Sequence, residues 1–466
     1  MQSIFITTTN SVAWFVAQIA NRYPAWQVCF LHDECRPVIG ILPKVSWQVS
    51  YMAGKFWVKK SVRDGDVSHY VSDYQAWQQE LENYCQQFAP SAPFDNQFAR
   101  QIGGQFNPSN DGYHHGLMGF IGYDWSAYAL NPIIAIKDGQ LCAFMGHYDI
   151  YLKPSHQGFV LCGVGVKTGL LDKIKQQLEC LLSQPLPVPM SCQFSPLWQR
   201  SDYAQAFAKT QEYIKAGDTY QINLTQAWQA HLTDKLANYL PKLQSTMNAP
   251  FAAFLRADDF ELLSLSPELF FEFYKKDGQI HITTKPIKGT RPRSADPSVD
   301  EQLKNELADS DKDISENVMI VDLLRNDLGK YAHVGTVKTP KCFAIESFQN
   351  VHHMVSTITA TLKSDTHPLT VLFGSLPAGS ITGAPKKRAC EIISELENQP
   401  RGAYCGTMGY VNFDGTGRWN VLIRTLQAQN SQAQLWAGGG VTIKSNCDDE
   451  YQECLDKVGV IMKVMA

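Results

Sequence analysis

The most informative stretch of this chain reads Lys285-Pro286-Ile287-Lys288-Gly289-Thr290-Arg291-Pro292-Arg293. It combines four cationic side chains with two prolines and a glycine, and it follows an apolar run, Leu263–Glu268, that ends in a carboxylate. A lysine held on a stiff turn can act as a nucleophile or a base if its pKa is lowered. A solvated loop rich in lysine and arginine is the common alternative. The other motifs of the C-terminal half favour a reactive lysine over a solvated loop.

Composition and length restrict the class of protein. A chain of 466 residues exceeds what one core supports, so a two-lobed globule is expected. The net charge of −4 gives no electrostatic footprint for nucleic acid, and no apolar run approaches the ~18 residues of a membrane span. The 12 cysteines show no metal-finger spacing and the first residues do not form a signal peptide. We therefore expect a reduced, cytoplasmic protein.

One proline-rich linker predicts the domain organisation. A proline-rich connector at 184–196 favours an extended, stiff link. It would separate an N-terminal lobe, 1–183, from a C-terminal catalytic domain, 197–466. Groups of strands with interspersed helices indicate an α/β (α+β) sandwich of antiparallel β-sheets with helices on the outside.

Several local elements can be predicted within the C-terminal half. Asp202–Gly217 predicts a helix with Asp202 as its N-cap and Gly217 just past its end. Lys276-Asp277-Gly278 predicts a hairpin turn between a strand at Leu269–Tyr274 and a strand at Gln279–Thr284. The pattern of Trp419–Gln427 predicts one continuous strand.

Two pairs of carboxylates have the spacing of neighbours on a helix. Asp313 and Glu316 are three residues apart, and Glu450 and Glu453 repeat this spacing near the C-terminus. On a helix each pair shares one face, and two such faces together would make an oxygen-rich site that suits Mg²⁺. Two solvated helix faces are the alternative.

Small residues and one arginine mark other candidate positions. The run Gly438–Gly440 follows a strand at Leu435–Ala437, where a backbone without side chains can approach an anion closely. The loop Gly379–Lys386 runs into the start of a helix, which also attracts anions, although a plain turn explains it equally well. Arg424, inside an apolar strand, should meet a carboxylate of the protein or of a ligand. The pair His352-His353 is more often structural than catalytic.

Taken in order, these segments resemble the chorismate-utilising enzymes. The resemblance runs from about Ser201 to the C-terminus, and the N-terminal third matches loosely, chiefly at Gly119–Asp124. The motifs that carry it are Ala216–Gln226, Ser266-Pro267-Glu268, Pro286–Arg291, Val321–Leu328, Val351–Ser356, Gly379–Lys386 and Ala437–Gly440. Their order and spacing, rather than any single motif, imply the fold of that family.

Lys288 and the segment Tyr220–Leu224 resemble the branch of the family that aminates chorismate at C4. Anthranilate synthases typically carry alanine at the position of Lys288. Isochorismate and salicylate synthases also have a lysine there and use it as a base on water. These three activities are the alternatives within the family. A catalytically silent subunit that binds an aromatic ligand is the alternative from another class, and the complete set of catalytic and metal-binding positions argues against it.

The resemblance implies a mechanism through a covalent lysine adduct. Neutral Lys288 would attack C2 of chorismate, and protonated Glu268 would assist loss of the C4 hydroxyl as a general acid. Ammonia would then enter at C4 and expel the lysine, giving 4-amino-4-deoxychorismate. No glutamine-hydrolysing motif is found in the sequence. The resemblance therefore implies a heterodimer with a glutamine amidotransferase subunit, in the route to 4-aminobenzoate and folate.

The same resemblance implies the ligand-binding positions. Mg²⁺ would be held by Glu316 and Glu453, with Asp313 and Glu450 near it or acting through water. The implied substrate-binding positions are Thr290, His353, Ser380, Thr382, Tyr404, Arg424, Gly438, Gly439 and Gly440. Members of this branch can also carry tryptophan in the N-terminal lobe. The possible tryptophan-binding positions here are Asp33, Pro250, Phe251 and Ala252, although the segment around Asp33 lacks a serine seen in relatives.

Overall fold

The computed structural model describes residues 1–34, 36–88, 112–348 and 351–466. Two large sheets dominate this part of the chain, each 12-stranded and antiparallel throughout. The predicted fold class is therefore confirmed. None of the helices in the described residues is long and apolar enough to cross a membrane.

The first sheet contains strands from both ends of the chain. Its strands, in spatial order, are β1 (Gln2–Thr7), β10 (Gly158–Gly163), β9 (Ile150–Ser155), β3 (Val38–Gly40), β2 (Cys29–Leu31), β13 (Phe251–Ala257), β14 (Phe260–Ser266), β23 (Thr425–Gln429), β24 (Gln432–Val441), β12 (Gln221–His231) and β11 (Ser195–Pro196). A short strand, β20 (Gly383–Ala384), also pairs with β12.

The second sheet also contains strands from both the N-terminal and the C-terminal parts of the chain. Its strands, in spatial order, are β17 (Ile287–Pro292), β19 (Val351–Thr361), β16 (Gln279–Thr284), β15 (Leu269–Lys276), β22 (Gly417–Val421), β21 (Thr407–Asn412), β7 (Gly116–Ile121), β8 (Leu141–His147), β4 (Val45–Met52), β5 (Lys55–Val62) and β6 (Val67–Val71). An additional strand, β18 (Lys338–Ser347), pairs with β19. Both sheets therefore join strands of 1–183 to strands of 197–466, and the predicted division into two domains stays a prediction.

Helices cover the outer faces of the two sheets. They are α1 (Val12–Arg22), α2 (Tyr74–Gln86), α3 (Tyr123–Leu130), α4 (Thr168–Leu181), α5 (Arg200–Ala216), α6 (Leu240–Met247), α7 (Pro297–Ala308), α8 (Asp311–Gly329), α9 (Pro368–Ser375), α10 (Lys386–Glu397) and α11 (Cys447–Met465). One apolar core joins α1, α4, α6 and α11 to the first sheet, and a second joins α2, α8 and α9 to the second sheet. A third core of side chains from both sheets, including Leu262 and Met408, lies between them.

Local signals in the sequence located two elements well. The hairpin is confirmed: β15 ends at Lys276, and Asp277 and Gly278 have φ of 52° and 76°, as the turn requires. The helix predicted from Asp202 is also present, but its N-cap is Gln199. Asp202 lies in the first turn, and its carboxylate accepts a hydrogen bond of 2.8 Å from the backbone N–H of Gln199. The Asp202 carboxylate therefore caps the helix through the backbone N–H of the residue three positions before it, as in a capping box. The predicted start of the helix was three residues late.

The predicted single strand at Trp419–Gln427 is wrong. The chain leaves the second sheet at Val421 and enters the first sheet at Thr425. Arg424 lies in this crossing with φ of 50°, a left-handed conformation that interrupts an extended chain. Arg424 is therefore not inside a strand, and the crossing carries it from one sheet to the other.

The glycine run does not end its strand, as was predicted, but lies within it. β24 continues through Gly438–Gly440 to Val441 and pairs with β12 along this length. A Cβ on Gly438 would lie 2.2 Å from the carbonyl oxygen of Leu224. Glycine is required because the backbones of the two strands and their surroundings leave no room for a side chain.

Candidate active site

A cavity of about 650 Å³ lies where strands of both sheets meet the N-terminal turns of α8 and α11. β17 and β19 supply one wall, β24 and β12 supply another, and the two helices supply carboxylates. The predicted site residues that line it are Glu268, Lys288, Thr290, Asp313, Glu316, His353, Ser380, Tyr404, Arg424, Gly438, Gly439, Gly440, Glu450 and Glu453. Segments more than 180 residues apart in sequence thus form one concave site.

Lys288 lies on a strand and not on the predicted turn. A bulge interrupts the pairing of β17 with β19 between Lys288 and Thr290, and Gly289 between them has φ of 75°. The half-buried side chain of Lys288 donates a hydrogen bond of 3.1 Å from Nζ to the carbonyl oxygen of Ser380. A bulge commonly re-aims a side chain, and here it accompanies the placement of the amine in the cavity.

Glu268 is a buried acid whose pKa is raised above its ordinary value. Its side chain is only 5% exposed. Burial raises the pKa of Glu268 to about 7, although the charge of Lys288 and a hydrogen bond from Ser380 oppose the increase. A carboxyl group with this pKa can hold a proton near neutral pH and give it to a leaving group.

Of the two carboxylates that α8 contributes to the cavity, Asp313 and Glu316, Glu316 is the more deeply buried. Burial raises the pKa of Glu316 to about 7, while Lys288 and Lys312 lower it and neighbouring carboxylates raise it. Its Oε1 atom is buried without a hydrogen-bond partner. An unsatisfied buried carboxylate oxygen has to be explained by a protonated state, a water molecule or a cation.

The other three carboxylates are each paired with a cation. The ion pairs are Asp313–Arg291 at 3.5 Å, Glu450–Lys312 at 2.9 Å and Glu453–Lys457 at 2.6 Å. Burial raises the pKa of Glu453, but the surrounding lysines, Lys457 first and then Lys312 and Lys288, together outweigh burial, so the net shift is downward. Within the residues that the structure describes, no three His, Cys, Asp or Glu side chains are close enough together to hold a metal ion.

The four carboxylates nevertheless fit Mg²⁺ in chemical type. They share one cavity, all their donors are oxygen atoms, and Oε1 of Glu316 lacks a partner. Mg²⁺ prefers few carboxylates and retains water molecules. The residues present are therefore compatible with the metal, provided that the ion pairs rearrange.

The opposite side of the cavity is neutral or basic. Thr290 Oγ1 and His353 Nδ1 are 2.9 Å apart, and burial, aided by the charge of Arg424, lowers the pKa of His353 to about 4. Burial also lowers the pKa of Arg424. No carboxylate among the described residues forms an ion pair with Arg424, so its guanidinium can receive an anionic ligand.

Sequence reasoning missed several residues of the cavity. Trp436 stacks on Tyr404, with ring centroids 6.0 Å apart, and Asn223 of β12 lies beside them in the lining. Lys312 and Lys457 also line the site. Both could have been suspected, since each lies within four residues of a predicted metal ligand and on the same helix.

Thr382 is the one predicted substrate-binding residue that does not line the cavity. It is fully buried, and its hydroxyl donates a hydrogen bond of 2.8 Å to the carbonyl oxygen of Ala378. Its own carbonyl oxygen accepts a hydrogen bond of 2.8 Å from the backbone N–H of Asn223. In this position it supports the wall that Asn223 forms.

The possible tryptophan-binding residues lie together where β2 ends and β13 begins in the first sheet, and none of them lines the cavity. His32 N–H donates to the carbonyl oxygen of Ala252 at 2.8 Å, and Glu34 N–H donates to that of Pro250 at 2.6 Å. Asp33 is buried and pairs with Arg418 at 3.2 Å. Phe251 follows Pro250 as the first residue of β13, and Cys35 lies outside the described residues. Tryptophan binding itself stays a prediction.

Comparison with known proteins agrees with this site. Residues 64–463 match the family described as chorismate binding enzyme. The chain belongs to the chorismate binding enzyme family. Aminodeoxychorismate synthase component 1 of Salmonella typhimurium is 41% identical to it over 366 residues, which cover 77% of this chain and 79% of that protein. The Escherichia coli protein of the same name is 41% identical over 357 residues, covering 75% and 77%.

The fold of this chorismate binding enzyme also matches a solved structure. Anthranilate synthase component I from Streptococcus pneumoniae superposes with a TM-score of 0.72 at 24% identity, covering 91% of each chain. At this identity the likeness establishes the fold and not the reaction. The fold that the motif order implied is thus confirmed by this structure, and the family is confirmed by the match over residues 64–463.

Proposed function

We propose that this chorismate binding enzyme converts chorismate and ammonia to 4-amino-4-deoxychorismate. The observation that carries the proposal is one cavity in which Lys288 meets Glu268, a buried acid with a pKa of about 7. The name of the relatives from Salmonella typhimurium and Escherichia coli, aminodeoxychorismate synthase component 1, favours the same reaction. An amine and a proton donor are the two groups that a substitution through a covalent adduct needs.

The reaction begins with a bond between the protein and the substrate. Lys288 in its neutral form attacks C2 of chorismate, both ring double bonds shift by one position, and the C4 hydroxyl leaves as water with the proton of Glu268. The Glu268 carboxylate then takes a proton from the alkylated lysine nitrogen. Ammonia adds at C4, both double bonds shift back, and the bond from C2 to lysine breaks as Glu268 returns a proton to the leaving lysine nitrogen. The new amine loses its extra proton to Glu268, which restores the acid. One water molecule is lost for one ammonia gained, and the enolpyruvyl side chain is kept.

The cavity offers a separate region for each part of the dianionic substrate. Arg424 and the backbone of Gly438–Gly440 would hold the carboxylate of the enolpyruvyl group, since a guanidinium with no ion pair among the described residues can bind an anion, and a glycine backbone that lines a cavity can approach one closely. Thr290, neutral His353 and Ser380 would lie beside the ring. Tyr404 forms an aromatic wall with Trp436.

The carboxylate side of the cavity would hold Mg²⁺. Glu316 and Glu453 are the proposed ligands, with Asp313 and Glu450 near the metal or acting through water. When bound, Mg²⁺ would supply positive charge to the ring carboxylate of the substrate and draw electron density from the ring. The unpartnered Oε1 of Glu316 supports this assignment.

Ammonia would come from a second protein. The two relatives are each named component 1, which suggests an enzyme with more than one component. We propose a glutamine amidotransferase subunit as the partner, and use of the product in 4-aminobenzoate synthesis for folate in the cytoplasm.

The proposal is tested by product analysis with the pure protein. Chorismate, Mg²⁺ and ammonium at mildly alkaline pH should give a product lighter than chorismate by about one mass unit, since an amine replaces a hydroxyl. Isochorismate, salicylate or anthranilate would instead assign the chain to another branch of the family. No conversion, even with an added amidotransferase, would favour a silent ligand-binding subunit.

A paired substitution tests the nucleophile. Lys288→Ala should abolish the covalent adduct detected by intact-protein mass spectrometry. The control is Lys285→Ala, because Lys285 lies in the same segment, is half exposed and pairs with Glu346 at 3.5 Å. An adduct that survives in the Lys288→Ala protein would remove the nucleophile assignment.

A further inference from the structure

Two lysines, Lys312 and Lys457, lie on the carboxylate side of the cavity, and they differ in the number of contacts that their ammonium groups make. Lys457 donates to the carbonyl oxygen of Gly438 at 2.7 Å as well as pairing with Glu453. Lys312 makes its one hydrogen bond within the described chain to Glu450, at 2.9 Å. The side chain of Lys312 is 38% exposed, whereas that of Glu450 is 2% exposed. Lys312 is thus the cation that can leave without breaking a backbone contact.

The position of Lys312 on its helix is electrostatically unfavourable. It is the second residue of α8, and the N-terminal end of a helix carries a partial positive charge that repels a cation. Burial lowers the pKa of Lys312, but Glu450, and after it Glu316 and Glu453, outweigh burial and raise it. The carboxylates of the cavity, rather than its own helix, therefore retain the ammonium group.

We propose that Lys312 is an exchangeable internal cation, which a divalent metal displaces from Glu450 when it binds the carboxylates of the cavity. The inference rests on the metal site of the proposed function. Glu450 is buried and cannot lose its cation without a replacement, and Oε1 of Glu316 has no partner until a cation arrives. Exchange keeps the buried charge of Glu450 compensated in both states. It also weakens the affinity for Mg²⁺, because the metal must first break the ion pair.

The test measures Mg²⁺ binding and not activity. Isothermal titration calorimetry of the full chain is run at fixed ionic strength and pH 8.5, above the pKa of about 7 of Glu316. Lys312→Met should bind Mg²⁺ about tenfold more tightly, which corresponds to removal of about 1.4 kcal/mol of competing interaction. Lys312→Arg keeps the charge and should bind like the wild type. Unchanged or weaker binding by Lys312→Met would overturn the exchange.

Two controls separate exchange from a general effect of charge. Lys304→Met removes a lysine of the same 38% exposure that pairs with Glu301 outside the cavity, and it should leave the affinity unchanged. In a double-mutant cycle, Lys312→Met should have little effect once Glu450→Gln is present. Equal tightening in both backgrounds would mean long-range repulsion and would overturn the exchange.

The outcomes also distinguish this inference from the proposed function. Wild-type binding of Mg²⁺ without tightening in Lys312→Met overturns the exchange and leaves the metal site intact. Absence of Mg²⁺ binding in the wild type and in every variant overturns both the metal site and the exchange. Product formation from chorismate is measured separately and decides the reaction. If Lys312→Met does not fold, Lys312→Gln provides the same comparison.

Discussion

Replacement of Glu268 by glutamine should stabilise the folded protein at alkaline pH while it removes the activity. Burial raises the pKa of Glu268 from its ordinary value of 4.5 to about 7, despite the nearby charge of Lys288. Glutamine has nearly the shape of the protonated acid and cannot ionise. The variant therefore avoids the cost of an ionised carboxylate in a site that is 5% exposed, but it has no proton to give.

The size of the effect follows from the two pKa values. An acid whose pKa is higher in the folded state keeps its proton longer there, so stability is lost as pH rises from 4.5 to about 7. The loss is complete above that range and amounts to about 3 kcal/mol, since one pKa unit corresponds to about 1.36 kcal/mol. Glu316 also has a pKa of about 7, but it titrates in both proteins and cancels in the difference.

Guanidinium titrations followed by tryptophan fluorescence at several pH values test this reasoning. The free energy of unfolding of Glu268→Gln minus that of the wild type should increase by about 2–3 kcal/mol between pH 5 and pH 8.5. Chorismate turnover should fall by about 10²- to 10⁴-fold, the contribution of a general acid. Glu301→Gln, at a glutamate whose side chain is 60% exposed, should show no such trend. A stability difference that is the same at every pH would refute the assignment of Glu268 as a buried acid.

Other predictions test a proposed metal ligand, a buried ion pair outside the cavity lining and the bulge of β17. Glu316→Gln should weaken Mg²⁺ binding at least about tenfold in calorimetry, because it removes the charge of a buried carboxylate that we propose as a ligand; an unchanged titration would exclude Glu316 as a metal ligand. Arg401→Met should lower the free energy of unfolding by about 3–5 kcal/mol, because it leaves the buried carboxylate of Glu397 without its partner at 2.7 Å. A loss below about 1 kcal/mol in denaturant titration would contradict the importance of this pair. Gly289→Ala should impair adduct formation more than Gly278→Ala. The backbone strain is matched, since φ is 75° at Gly289 and 76° at Gly278. Only at Gly289 would the new Cβ lie 2.7 Å from a methyl group of α7. Equal adduct yields would count against a role for the bulge.

The sequence by itself determined what depends on short stretches of chain. Asp277 and Gly278 specify a hairpin because their left-handed conformations suit its turn. The spacing of Asp313 and Glu316 predicted that they share a helix face, and both lie on α8 and line the cavity. The order of the motifs was sufficient to predict the family and the fold class.

The tertiary structure alone decided which of these segments meet and in what electrostatic state. The sequence predicted that Arg424 lies inside one continuous strand. The chain instead crosses between the two sheets at Arg424, because β22 before it pairs with β15, β23 after it pairs with β14, and both partner strands come from distant parts of the sequence. No local pattern in the sequence reveals that Lys312 pairs with Glu450, 138 residues away.

The pKa of Glu268, about 7, is likewise a property of the assembled cavity. Turns, caps and helix faces depend on neighbours within a few residues, and the sequence lists those neighbours directly. Burial and ion pairing depend on atoms brought together by packing of the two sheets and their helices, so a carboxylate acquires its chemistry only in the folded chain.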